Sequence, residues 1–172
     1  MNRNSLFIVV GVLLIVIFLS VYILTPVYLP YYKVVDKALE NNYTIVEVPP
    51  SKTIKVLTIN TTESNNTIYL IANTSSVYLQ VINSSGLVAN SSEVLITKVY
   101  PGTYYIAIAN PTNTYQYVTL RHAIFTYDEI NSLYSTLGVI TTISEFFIAL
   151  GVVAAGYGLI ASFFGKRFKR KK

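Results

Sequence analysis

Hydrophobic and polar positions divide this chain into three regions with different periods. Leu6 to Leu24 is an uncharged run of nineteen residues, and Phe146 to Gly165 is one of twenty. At about 1.5 Å of rise per helical residue, each run covers about 30 Å, the hydrocarbon thickness of a bilayer. Each therefore predicts a membrane-spanning helix. Between them the period falls to two. Thr44 to Val48, Thr53 to Ile59, Thr67 to Ala72, Val77 to Ile82, Glu93 to Val99, Thr103 to Ala109 and Tyr115 to Phe125 are rich in Val, Ile, Thr and Tyr. Clusters of Asn, Ser, Gly and Pro separate them. Seven such segments with regular turn signals predict a small antiparallel β-sandwich flanked by two transmembrane α-helices, a membrane-anchored all-β fold.

The junctions carry their own signals. Tyr28, Tyr31 and Tyr32 lie among Pro26 and Pro30, and tyrosine holds its ring among lipid and its hydroxyl among headgroups, so this stretch reads as an interfacial belt. A short helix is expected from Pro30 to Glu40, burying Val34, Val35, Ala38 and Leu39. After the strands, Ile130, Leu133, Tyr134 and Leu137 recur at helical spacing, so the last helix should begin near Asp128 and run on into the second apolar segment. The expected division is residues 1–25 as cytoplasmic amino terminus and first helix, 26–43 as interfacial linker with a short helix, and 44–127 as extracytoplasmic sandwich. Residues 128–165 follow as the juxtamembrane stretch and second spanning helix, and 166–172 as a basic tail.

Charge fixes the direction of these elements. The net charge of +5 does not spread over the chain. Between Pro26 and Ser135 six basic residues meet seven acidic ones, whereas Lys166, Arg167, Lys169, Arg170, Lys171 and Lys172 crowd the carboxyl end and Arg3 precedes the first run. Basic residues beside spanning helices stay on the cytoplasmic side, which puts both termini inside and the central domain outside. A terminal cluster of this kind meets anionic headgroups and does not form a nucleic-acid surface. The first run is longer than the apolar core of a cleaved signal peptide and is followed by Leu24-Thr25-Pro26 in place of small residues, so it reads as an uncleaved signal anchor.

Composition removes several kinds of chemistry. The chain has 172 residues, only 12% of them charged, and no cysteine. Disulfides, thiolate metal sites and cysteine nucleophiles are excluded. His122 stands alone as the one histidine and reads as an ordinary strand residue. Asp128 and Glu129 are adjacent on a helix and point about 100° apart, so they do not form an acid pair. No Ser-His-Asp set, phosphate loop or carboxylate pocket emerges, and no enzyme, metal or cofactor is expected.

Three sets of residues remain as candidates. Asn42, Asn60, Asn65, Asn73, Asn83 and Asn90 each open an Asn-x-Ser/Thr acceptor, all in the segment expected outside, whereas Asn110 is followed by Pro111. Asn60, Asn65, Asn83 and Asn90 are expected at turns. On the last helix Gly151, Ala155, Gly158 and Ser162 give a small-residue face that another helix can approach, first the helix of the same chain and then a copy or a different subunit. Glu145 marks the outer edge of the second apolar run, first as an interfacial carboxylate, then as a contact to a partner helix and last as an ion- or proton-handling group.

Tyr100-Pro101-Gly102-Thr103-Tyr104-Tyr105-Ile106-Ala107-Ile108, followed by Tyr117-Val118-Thr119-Leu120, predicts a final hairpin. It resembles the corresponding segment of pre-peptidase C-terminal domains and, less closely, of GOLD domains, both extracytoplasmic β-sandwiches. The resemblance covers about twenty residues, implies the fold and brings no catalytic residues with it. The expected function is that of a non-catalytic cell-surface protein presenting a glycosylated sandwich to envelope proteins or surface glycans. The alternative is an accessory subunit of a larger membrane enzyme or transporter. Abundant Tyr and Asn without cysteine suit an archaeal envelope protein or a virus of such a host.

Overall fold

A computed structural model describes residues 3–29 and 31–169. They form two compact units, Met1–Pro30 with Tyr134–Lys172, and Tyr31–Leu133. The first consists of helix α1 (Arg3–Tyr28) and most of α3 (Tyr127–Lys169). Both helices are long and apolar enough to cross a membrane, and most of their apolar side chains are exposed. α1 continues past the expected boundary through Pro26 to Tyr28. Proline removes one backbone donor near the helix end, where few turns remain to be broken.

The second unit contains α2 (Tyr32–Asn41) and eight strands: β1 (Tyr43–Val48), β2 (Thr53–Thr61), β3 (Thr67–Ala72), β4 (Tyr78–Asn83), β5 (Gly86–Ser92), β6 (Val94–Lys98), β7 (Gly102–Ala109) and β8 (Gln116–Phe125). They form two antiparallel four-stranded sheets, ordered β1-β8-β3-β6 and β2-β7-β4-β5. This is the strand order of an eight-stranded jelly roll. The inward positions form one apolar core, including Val48, Ile68, Leu70, Leu79, Ile106 and Leu120.

Two expectations fail here. The sandwich has eight strands because Gly86 to Ser92, read as loop, is β5, paired with β4. Its sequence, Gly-Leu-Val-Ala-Asn-Ser-Ser, carries little β-branched signal, and pairing with β4 overrides local propensity. Nor do β7 and β8 make a hairpin. β7 lies between β2 and β4, and β8 between β1 and β3, so the chain crosses from one sheet to the other at residues 110–115.

Asn110 builds that crossing. It is 2% exposed, and its two side-chain hydrogens are shared among the carbonyls of Val48 (3.0 Å), Pro49 (3.1 Å) and Thr114 (2.8 Å). Its Oδ1 accepts from the backbone N–H and the hydroxyl of Thr112. One buried amide thus supplies partners to backbone groups of the β1–β2 and β7–β8 connections that would otherwise be orphaned.

A second apolar layer covers the outer face of β8 and β3. α2 packs on β8. Val35 and Leu39 of α2, Tyr69, Ala123 and Phe125 of the sheet, and Ile130 and Leu133 of α3 are all buried. Val34, expected inside, is exposed, because only one stripe of so short a helix faces the sheet. The start of α3 is a capping box. Glu129 N–H donates to Thr126 Oγ1 (3.2 Å), and Thr126 N–H donates to the Glu129 carboxylate (3.0 Å).

Candidate functional site

In the helical unit the small residues mark where two backbones meet. A Cβ placed on Gly11 would lie 2.5 Å from the Ala155 backbone nitrogen and 2.6 Å from the Gly151 carbonyl oxygen. One on Gly151 would lie 2.7 Å from the Gly11 carbonyl oxygen, and one on Gly158 would lie 2.8 Å from that of Asn4. Contacts this short leave room for hydrogen alone. Gly151, Ala155 and Gly158 are therefore brought against α1, and Gly11 is their counterpart, a residue the sequence reading passed over. Its signal was available: Gly11 is the single glycine of the first apolar run. Ser162 is half-buried further along. Buried positions are spaced by multiples of seven, Gly11 and Thr25 on α1 with half-buried Phe18 midway and Ser144, Gly151 and Gly158 on α3, which is the 3.5-residue period that a left-handed helix pair uses. Aromatic contacts flank the seam. Phe18 stacks on Phe147 at 4.3 Å between ring centroids, and Phe7 meets Tyr157 edge-on at 5.4 Å.

Glu145 is exposed on α3 beside Ile143 and Phe146, both also exposed, whereas Ser144 is 1% exposed and its hydroxyl has no hydrogen-bond partner. Lys166, Arg167 and Lys169 fall within the end of α3. Arg170, Lys171 and Lys172 lie outside the described residues. At the other terminus, Arg3 opens α1 and is exposed.

All six acceptor asparagines lie in the β unit. Asn42, Asn60, Asn65, Asn73 and Asn90 are exposed, and Asn83 is half-buried. Asn65 and Asn73 lie in loops, and Asn83 closes β4, its Oδ1 accepting from Ser85 N–H at 2.9 Å. Asn60 and Asn90 lie within β2 and β5, not at turns, since both strands run further than their β-branched residues suggest. These two are edge strands of one sheet. Register puts the two residues on its outer face, with Lys55, whose ammonium sits 3.4 Å from the Tyr105 ring centroid. Asn42 already donates its amide hydrogen to Ala38 carbonyl. Among the described residues the side-chain amides of the other five donate no hydrogen bond, and those of Asn60, Asn73 and Asn83 accept one through Oδ1.

His122 follows the inward parity of β8, opposite Leu70 of β3. Its Nδ1 is buried without a partner, and desolvation pushes its pKa below the usual 6.5. Among the described residues no three His, Cys, Asp or Glu side chains gather as metal ligands. A polar cleft of about 490 Å³ opens between Glu63, Asn66, Lys98, Val99, Tyr100 and Pro101. It contains the tyrosine whose carbonyl anchors the Pro101-Gly102 turn, accepting from Tyr104 OH at 3.0 Å and from Thr61 Oγ1 at 2.8 Å.

No family model matches the chain, and no curated protein sequence does either. Among solved structures, it is similar to PliG of Aeromonas hydrophila, a periplasmic inhibitor of g-type lysozyme. That match is 11% identical, covers 48% of this chain and 82% of the other, and has a TM-score of 0.38. A de novo designed double-stranded β-helix is 15% identical over 48% of this chain and 99% of its own, with a TM-score of 0.34. The cupin domain of Drosophila melanogaster CENP-C is 10% identical over 48% of this chain and 56% of that chain, with a TM-score of 0.28. Strand order, not these likenesses, defines the jelly roll.

Proposed function

We propose that this chain is a two-pass membrane protein with both termini in the cytoplasm. It holds a glycosylated jelly roll on the outer surface as a non-catalytic structural or interaction module. The observation that carries this reading is the segregation of chemistry. The two long apolar helices hold no Asn-x-Ser/Thr acceptor, the β unit holds all six, and the side-chain N–H groups of five of those donate to no other described residue, although Asn60, Asn73 and Asn83 accept a hydrogen bond through Oδ1. Helix packing through Gly11, Gly151 and Gly158 makes the anchor a self-contained hairpin that needs no partner to bury its small-residue seam. Glycan on the outer face of the β2–β5 sheet would clothe the surface and leave the rest for contacts with envelope proteins or surface glycans.

A glycosidase digest of the chain from its native membrane tests this. The expected result is a mass above 19.2 kDa that falls on digestion, and falls equally when all six asparagines are changed to Gln. A native mass equal to the bare polypeptide would remove the glycoprotein reading.

Glu145 supports a second reading, an accessory subunit of a membrane enzyme or transporter. An exposed carboxylate among exposed apolar side chains on a spanning helix is expensive in lipid unless a partner helix covers it. Purification in mild detergent separates the two: a stoichiometric partner lost on Glu145→Ala favours the subunit, and its absence favours the free-standing module.

A further inference from the structure

The four edge strands of the jelly roll are not alike. β2 carries a bulge at Val56 beside Lys55, β5 carries one at Val88, two residues before Asn90, and β6 is five residues long with Lys98 at its end. Bulges, lysines and short length are the usual ways in which an edge is kept from pairing with another chain. β1 has none of them. It runs Tyr-Thr-Ile-Val-Glu-Val in unbroken register with β8, with no bulge, lysine or proline inside it.

Its free side can be specified. His122 N–H donates to the Asn42 carbonyl, so the pairs two, four and six residues on, at Thr44, Val46 and Val48, are the ones bonded to β8. The N–H and C=O groups of Tyr43, Ile45 and Glu47 therefore point away from the sheet, and no other backbone among the described residues meets them. The side chains of that row are exposed on the outer face: Tyr43 at 59%, Ile45 at 66%, and Tyr117 of β8, beside Glu47, at 68%.

We propose that β1 pairs with β1 of a second copy, antiparallel about a two-fold axis through Ile45, joining two four-stranded sheets into one of eight. In this register Ile45 faces its own copy, and Tyr43 faces Glu47 of the other protomer. All three outward N–H groups and all three outward carbonyls on each strand are then satisfied, six hydrogen bonds in all, as an isologous contact requires. Charge agrees with the pairing. Arg121 stands beside Tyr43 on the same face, so each Tyr43 lies between the guanidinium of its own chain and the Glu47 carboxylate of the copy. The arrangement occurs twice by symmetry, and among the described residues neither Arg121 nor Glu47 has an ion pair within its own chain. The contact is independent of the helix seam, whose small residues are already used within the chain, and of which side of the membrane the jelly roll occupies.

The absence of cysteine makes the test direct. A hydrogen-bonded antiparallel pair sets Cα atoms about 5.5 Å apart, inside the range a disulfide spans. In full-length protein in mild detergent, Ile45→Cys is expected to cross-link into a dimer under mild oxidation, and Thr58→Cys, on the edge of the other sheet, is expected to stay monomeric. Glu47→Arg should shift the protein mass in the micelle from two chains to one, and the double variant Glu47→Arg with Arg121→Glu should bring two chains back. Cross-linking of Ile45→Cys no greater than that of Thr58→Cys would overturn the proposal. So would a Glu47→Arg protein that is as dimeric as the parent.

Discussion

In the helical unit the positions that cannot be enlarged are glycines, and in the jelly roll they are Ile, Leu and Val. Gly11 and Gly151 touch backbone to backbone, whereas Leu79, Ile106 and Leu120 have no exposed surface at all and are surrounded by other large side chains. On the membrane reading proposed above, the difference follows from the surroundings of each unit. In water a sheet gains by hiding large apolar side chains, at about 25 cal/mol per Å². In lipid an exposed leucine loses nothing, so two helices gain only from close approach and small residues take over the seam. One chain thus uses opposite residue types for the same purpose.

The comparison can be broken at three points, in order of effect. Leu79→Ala should cost the jelly roll about 2–5 kcal/mol, seen as a drop in its melting temperature, while the helix pair stays intact. Gly151→Leu should do the reverse. It drives a side chain into the Gly11 carbonyl and costs the helix pair about 1–3 kcal/mol, as overpacking does. A Phe7→Cys, Tyr157→Cys pair joined by a flexible bis-maleimide reports this, since the parent rings meet edge-on across the seam and cross-linking should fall with the β-unit melt unchanged. The smallest effect is that of His122. Burial lowers its pKa in the folded state, so below pH 6.5 the unfolded chain binds a proton that the folded chain refuses. Stability should be flat above that value, fall as pH drops through 6.5 toward the folded pKa, and level off below it. His122→Leu should remove that slope from a series of thermal melts.

The parts legible in the sequence were those with a strong local period. Two apolar runs and seven β-branched segments identify both spanning-length helices and seven of the eight strands, because burial on one face or all round writes itself into residue order. β5 was hidden because its stability comes from β4, to which it is paired through a Val88 bulge, and Ala-Asn-Ser-Ser has no preference of its own. The supposed final hairpin failed for a related reason. Strand pattern shows that Tyr104-Ile106-Ile108 and Val118-Leu120 are two-faced, but which sheet each joins depends on residues far away in sequence. Asn110 was seen as a spoiled acceptor, and its role as the buried hub of the crossing depends on Val48 and Pro49, some sixty positions earlier. The small-residue face of α3 was legible, and its counterpart Gly11 shows only when the two helices lie together.

The arrangement across the membrane is the claim on which the functional reading turns, and a cysteine-free chain permits a clean test of it. A membrane-impermeant maleimide should label Thr58→Cys in intact cells, and should label Ser5→Cys, at the start of α1, only after the membrane is permeabilised. Labelling of Ser5→Cys in intact cells together with protection of Thr58→Cys would place the jelly roll inside and contradict the account.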